Sequence, residues 1–221
     1  MKQIHFPRIL CVAFLIVLAA CQAPPAAADP TAIPQTAVPP TAVPTITPAQ
    51  AGTIYSPKTF DLPITFLYGP EWILEPENAS QVSLTIKDSD EYFSFIDLKS
   101  VKIASPAAPY SAVAFPDDFV NWIQAHGLFQ VVKTESVFVG GLPGTQIDVE
   151  TTADCGTGQN FLFAGSGGWK CWPGLYYRFV YMDDVNGERL LIMIEGYSDE
   201  DFASKVDAAQ KVLDTVVFSK P

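Results

Sequence analysis

The sequence predicts an α+β domain, an antiparallel sheet of about six to seven strands with two helices packed on it. Three observations predict it. Residues 81–87 (QVSLTIK) alternate apolar and polar side chains with the period of a half-buried strand. Asn186-Gly187 stands between two apolar runs, and a two-residue hairpin turn needs positive φ at both positions. Phe119, Trp122, Ile123 and His126, and later Phe202, Val206, Ala209 and Leu213, recur instead at helical spacing. Strands that follow one another, with one helix mid-chain and one near the end, give an antiparallel α+β arrangement.

Before the domain comes an export signal. Residues 1–8 carry Lys2 and Arg8 and no acid, and residues 9–20 are apolar throughout. Twelve residues at about 1.5 Å each span roughly 18 Å, well short of the ~30 Å hydrocarbon core of a bilayer. That is the size of a signal-peptide apolar region. It ends in Leu18-Ala19-Ala20-Cys21, which resembles the bacterial lipobox of an aliphatic residue, two small residues and cysteine. The resemblance implies cleavage before Cys21 and a diacylglyceryl group on its thiol. The alternative is an ordinary secretory signal cut within Ala26-Ala27-Ala28. Cys11 lies inside the apolar region and leaves with it.

Residues 22–51 contain eight prolines, one charge (Asp29) and no aromatic residue. Proline at this density forbids helix and sheet ladders and favours extended polyproline II. At ~3.1 Å per residue the stretch reaches on the order of 90 Å when straight. The expected organisation is therefore a signal peptide over 1–20, the lipidated cysteine and a Pro/Thr/Ala-rich tether over 21–52, and one globular domain over 53–221. Some 170 residues suffice for one ordinary core. Without Lys2 and Arg8 the 13 basic residues fall to 11 against 24 acidic ones, a net −13. That balance argues against a nucleic-acid partner and against direct binding to anionic head groups. The expected location is the extracytoplasmic side of the cell membrane, with the lipid as the membrane contact.

Within the domain, residues 64–68 read as a strand stopped by Gly69-Pro70. Residues 81–87 and 92–103 read as a strand and its return, with a polar turn at Asp88-Ser89-Asp90-Glu91. Pro106 and Pro109 mark a loop, and Pro116-Asp117-Asp118 opens a helix with acid at its positive end. Gly127 is expected to close it. Residues 128–139 and 145–151 form strands about a turn at Gly140-Gly141-Leu142-Pro143-Gly144. Residues 176–181 and 188–195 flank the Asn186-Gly187 turn, Ser198 caps the last helix, and residues 215–218 add a short strand.

Taken together, the strand leading into Tyr68-Gly69-Pro70-Glu71-Trp72, the meander, the glycine turn at Gly140–Gly144 and the helix before Val216-Val217-Phe218 resemble the PsbP-like family. That family includes extrinsic photosystem subunits, nuclear-import Mog proteins and small bacterial lipoproteins. The resemblance covers residues 64–218 and implies an α/β/α sandwich acting as an accessory or binding protein. The family's proline follows the tyrosine directly, whereas Gly69 intervenes here, and no functional residue is carried over.

Cys155 and Cys171 are the cysteines of the domain, and outside the cytoplasm an even pair reads as a disulfide. Its loop is glycine-rich and crowded by Phe161, Phe163, Trp169, Trp172, Tyr176 and Tyr177. If displayed, Trp169, Trp172 and Tyr176 form an aromatic site for an envelope protein or glycan; if turned inward, they cover the sheet. Ala164-Gly165-Ser166-Gly167-Gly168 falls one residue short of a hydrolase elbow, and Ser166 with His126 is the competing esterase reading. Trp169-Lys170-Cys171-Trp172-Pro173 cannot start the helix that an elbow requires. Asp183, Asp184, Asn186 and Glu188 offer oxygen ligands but lack the full calcium-hand loop, so they read as a solvated hairpin turn. No phosphate loop is present, and no metal or cofactor is expected. A structural envelope lipoprotein without a small ligand is the third reading.

Overall fold

The computed structural model describes residues 52–87, 89, 92–164 and 167–219. The signal peptide, Cys21, the tether through residue 51, Ser166 and three of the four residues of the first polar turn lie outside them. In chain order the strands begin with β1 (Thr53–Tyr55), β2 (Ile64–Tyr68), β3 (Trp72–Leu74), β4 (Gln81–Ile86) and β5 (Tyr92–Asp97). A 3-10 turn at Leu98–Ser100 leads to β6 (Lys102–Ala104), β7 (Ala112–Ala114) and helix α1 (Phe119–Ala125). Then come β8 (Phe129–Val139), β9 (Leu142–Thr151), β10 (Gln159–Ala164) and β11 (Gly167–Cys171). Last are β12 (Tyr176–Val185), β13 (Glu188–Gly196), α2 (Asp199–Leu213) and β14 (Val217–Phe218).

The molecule is an α+β protein on an antiparallel sheet. Seven strands run in the order β3-β4-β5-β13-β12-β9-β8, and every pairing is antiparallel. Two smaller antiparallel sheets accompany it, β11-β10-β6-β7 and β1-β2-β14. Successive side chains of a strand point to opposite faces, so a central strand covered on both sides is apolar at every position. β13 behaves so: Leu190, Ile192 and Ile194 enter one core while Leu191 and Met193 enter the other. The first core lies under α2 and the three-stranded sheet; the second lies under α1 and the four-stranded sheet. Each face thus carries one helix and one small sheet. Among the described residues no helix is long and apolar enough to cross a membrane.

Local chemistry sets the ends of these elements. The Asp118 carboxylate accepts from the Asn121 N–H at 3.0 Å and starts α1. Ser198 Oγ accepts from the Asp201 N–H at 3.2 Å, and the Asp201 carboxylate accepts from the Tyr197 N–H at 3.0 Å, a reciprocal cap on α2. Asn186 and Gly187 adopt φ of 59° and 91°, the turn their pair of residues predicts.

Four expectations are corrected. The strand expected over 92–103 ends at Asp97, whose buried carboxylate accepts from the Lys99 N–H at 2.9 Å and turns the chain into the other sheet. Helix α1 is closed by His126, whose N–H donates to the Ile123 carbonyl, one residue before the expected Gly127. The turn after β8 is only Gly140-Gly141, because Leu142 already pairs with Val139. Finally, the loop between the cysteines is a hairpin, β10 with β11, and β10 also pairs with β6.

Candidate functional site

On the face toward the second core, β4 and the start of β5 do not continue the apolar surface of their neighbours, although Ile96 at the end of β5 does. Val82, Leu84, Phe93 and Phe95 all point into the first core, so Gln81, Ser83, Thr85, Tyr92 and Ser94 are left on the second face. The four-stranded sheet covers that face only as far as its edge strand β11. Where the cover stops, a groove of about 260 Å³ remains, lined by Gln81, Tyr92, Ala164, Gly168 and Trp169.

Polar groups run along the β4–β5 side of this groove. Gln81 Nε2 donates to Ser83 Oγ at 2.6 Å, and the Ser83 and Ser94 hydroxyls pair at 2.7 Å. Thr85 Oγ1 donates to Glu75 Oε1 at 2.9 Å. Tyr92 pairs with Thr85, four residues along β4 from Gln81, so the two lining residues stand about 13 Å apart at ~3.3 Å per residue. Beside the Tyr92 end lies Glu195. Burial raises its carboxyl pKa, against the Tyr177 hydroxyl and the Tyr92 N–H, which favour the charged form. The Tyr177 hydroxyl is itself pushed up, first by burial and then by the charge of Glu195.

Across the groove, Trp169 sits half-buried on β11 and packs its inner side against the second core. Glycine at 168 lets β11 lie close against β10, for a methyl group there would meet the Leu162 carbonyl oxygen at 2.6 Å. The arrangement offers aromatic walls, an amide and backbone at the edges, and no charged side chain among the described residues that line it.

The three candidate binding aromatics are not brought together. Trp169 lines the groove. Trp172 is 45% exposed and rests on Gly158, where an added methyl would lie 2.7 Å from the indole. Tyr176 stacks on Phe202 of α2, centroids 5.8 Å apart, on the opposite face of the large sheet. The alternation of β12 separates it from the tryptophans: Tyr177 points into the second core, so Tyr176 cannot. Phe161 and Tyr177 of the same crowd are core residues.

Cys155 and Cys171 are bonded, with Cα atoms 5.5 Å apart, and both are buried. The bridge ties the 3-10 turn at Ala153–Cys155 to the end of β11 and so holds the strand that carries Trp169. Ser166 and Cys21 lie outside the described residues. His126 is 2% exposed, stacked on Tyr110 and tilted against Trp122, and its Nδ1 accepts from the Leu128 N–H at 3.2 Å. Burial lowers its pKa, with the backbone of Ser105 and Ala104 pulling the other way. Nearby Asp154 is engaged by the Tyr110 hydroxyl. In the Asn186 hairpin, Asp184 Oδ1 accepts from the Gly187 N–H at 2.8 Å, which is turn chemistry. Among the described residues no three His, Cys, Asp or Glu side chains gather closely enough to hold a metal ion.

Sequence reasoning missed Gln81 and Tyr92. The available signal was that polar residues alternate on one face of both strands, which reads equally well as a solvated face.

The fold defines an α+β domain with an open groove at the edge of its second face. No family model matches the chain, and no curated protein matches it. Eleven solved chains do. One is the solution structure of cyanobacterial PsbP (CyanoP) from Synechocystis sp. PCC 6803, with 11% sequence identity and a TM-score of 0.39 over 82% of this chain and 100% of that one.

Proposed function

We propose that the chain is a lipid-anchored, extracytoplasmic binding or accessory module of the bacterial cell envelope, of the PsbP-like kind. One observation carries this reading: Leu18-Ala19-Ala20-Cys21 closes a twelve-residue apolar run that follows Lys2 and Arg8. The run is too short to span a bilayer, so it serves export, and acyl chains on Cys21 do the holding at about 0.8 kcal/mol per buried CH₂. Residues 22–51 then set the domain away from the surface. Grouping the domain with PsbP-like proteins rests on the residues around Tyr68 and Gly140 and gives the same class of role. The esterase reading loses ground because its base, His126, is buried with its acceptor nitrogen engaged.

Metabolic labelling with a radioactive fatty acid in a bacterial host tests the proposal. The wild-type chain should take up label, and Cys21→Ser should not. An unlabelled wild type, or a variant labelled to the same extent, refutes it.

A further inference from the structure

We infer that the groove between β11 and the β4–β5 edge binds a neutral glycan chain, with Trp169 as its stacking platform and Gln81 as its hydrogen-bonding end. The inference rests on reading the domain as a binding module and names the ligand class of that module. Three features select the class. A pyranose ring presents a face of C–H bonds carrying slight positive charge and an edge of hydroxyls. The negative face of an indole or phenol ring suits the first, and amide and hydroxyl groups suit the second. Trp169 and Tyr92 supply the rings, while Gln81, held by Ser83 Oγ, supplies the amide. Size is the next feature. A groove of about 260 Å³ falls just under the range of small-ligand pockets. Two or three consecutive sugar units span the roughly 13 Å of strand between Gln81 and Tyr92. Charge is the third. Among the described residues no cation lines the groove, and the Glu75 carboxylate lies near it, so an anionic chain is disfavoured.

Trp172 separates this site from the exposed tryptophan nearby. Its ring is the more accessible of the two, yet it lies on Gly158 outside the groove.

The experiment uses the full chain in a detergent without a sugar head group. It is titrated calorimetrically with β-1,4-linked tetraoses of glucose, xylose, mannose and N-acetylglucosamine, with tetragalacturonate as the anionic control. At least one neutral tetraose should bind with a Kd at or below about 1 mM. Trp169→Ala should weaken it about tenfold or more, and Trp172→Ala should leave it unchanged. Gln81→Ala, which removes the groove's amide while Ser83 keeps its pairing with Ser94, should weaken it several-fold and decides the matter if Trp169→Ala does not fold. The inference is overturned if no neutral tetraose binds below about 10 mM, if only tetragalacturonate binds, or if binding survives Trp169→Ala or Gln81→Ala unchanged. Sugar binding is read in solution and acylation by label, so failure of either result leaves the other standing.

Discussion

Tyr177 and Glu195 stand opposite one another on β12 and β13, and the tyrosine hydroxyl donates to Glu195 Oε1 at 2.9 Å while lying 3.1 Å from the Lys170 carbonyl. One hydroxyl therefore links the large sheet to the strand that carries Trp169.

The pair has a pH signature. Burial raises the Glu195 pKa, so the folded chain holds that proton above the ordinary glutamate value of about 4.3, where the unfolded chain releases it. Native protein then binds more protons than unfolded protein, and the stability it contributes falls as pH rises through that window. Glu195→Gln keeps an acceptor for Tyr177 and removes the titration. Its melting temperature should match wild type near pH 4 and exceed it near pH 7. Melting curves across this range check it; a difference that shrinks toward neutral pH contradicts the assignment.

Asp148 and Arg178 face each other across β9 and β12, with Nε and Nη2 each 2.7 Å from a carboxylate oxygen. Their side chains are 11% and 15% exposed, so removing one charge strands the other in a dry setting. Asp148→Asn should cost about 3 kcal/mol in urea unfolding, the low end for a broken buried pair, because Glu135 also bears on Arg178. Replacing both with apolar residues, Asp148→Leu with Arg178→Met, should cost much less.

The disulfide closes a loop with a sequence separation of 16. Its loss in Cys155→Ser with Cys171→Ser should lower stability by about 3 kcal/mol on the chain-entropy account. Because the bridge fixes one end of β11, sugar affinity should fall as well. Calorimetry at a temperature where both proteins remain folded separates the two effects.

Gly158 has φ of +104° and carries the Trp172 ring at a distance that leaves no room for a methyl group. Gly158→Ala should cost roughly 1–3 kcal/mol from backbone strain and displaced indole. Its tryptophan emission should shift to the red. An unshifted spectrum with full stability contradicts the contact.

Much of the fold was legible in the residues because local rules govern it. The hairpin of β12 and β13 follows from Asn186-Gly187, α2 from Ser198 and its apolar stripe, and β4 from strict alternation. The break after Asp97 was not legible, since it depends on a carboxylate folding back on Lys99 rather than on any change of pattern. β11 hid behind Gly167 and Gly168, whose absent side chains erase the period-two signal, and β10 behind a register shift between Asn160 and Leu162. As for the site, Trp169 was visible as an aromatic of unknown exposure. Its partners Gln81 and Tyr92 lie more than seventy residues away in the chain, and only the register of β4 with β5, and the point where the second sheet stops, brings them to one groove. Tyr176 was grouped with the tryptophans by sequence proximity and is parted from them by strand alternation.

Lipid anchoring at Cys21 is decided by the amino terminus of the chain recovered from a bacterial membrane. Mass spectrometry of the first tryptic or chymotryptic peptide should show a chain that starts at Cys21, its sulfur carrying a diacylglyceryl group. A free, unmodified terminus within Ala26-Ala27-Ala28 or beyond would contradict the account.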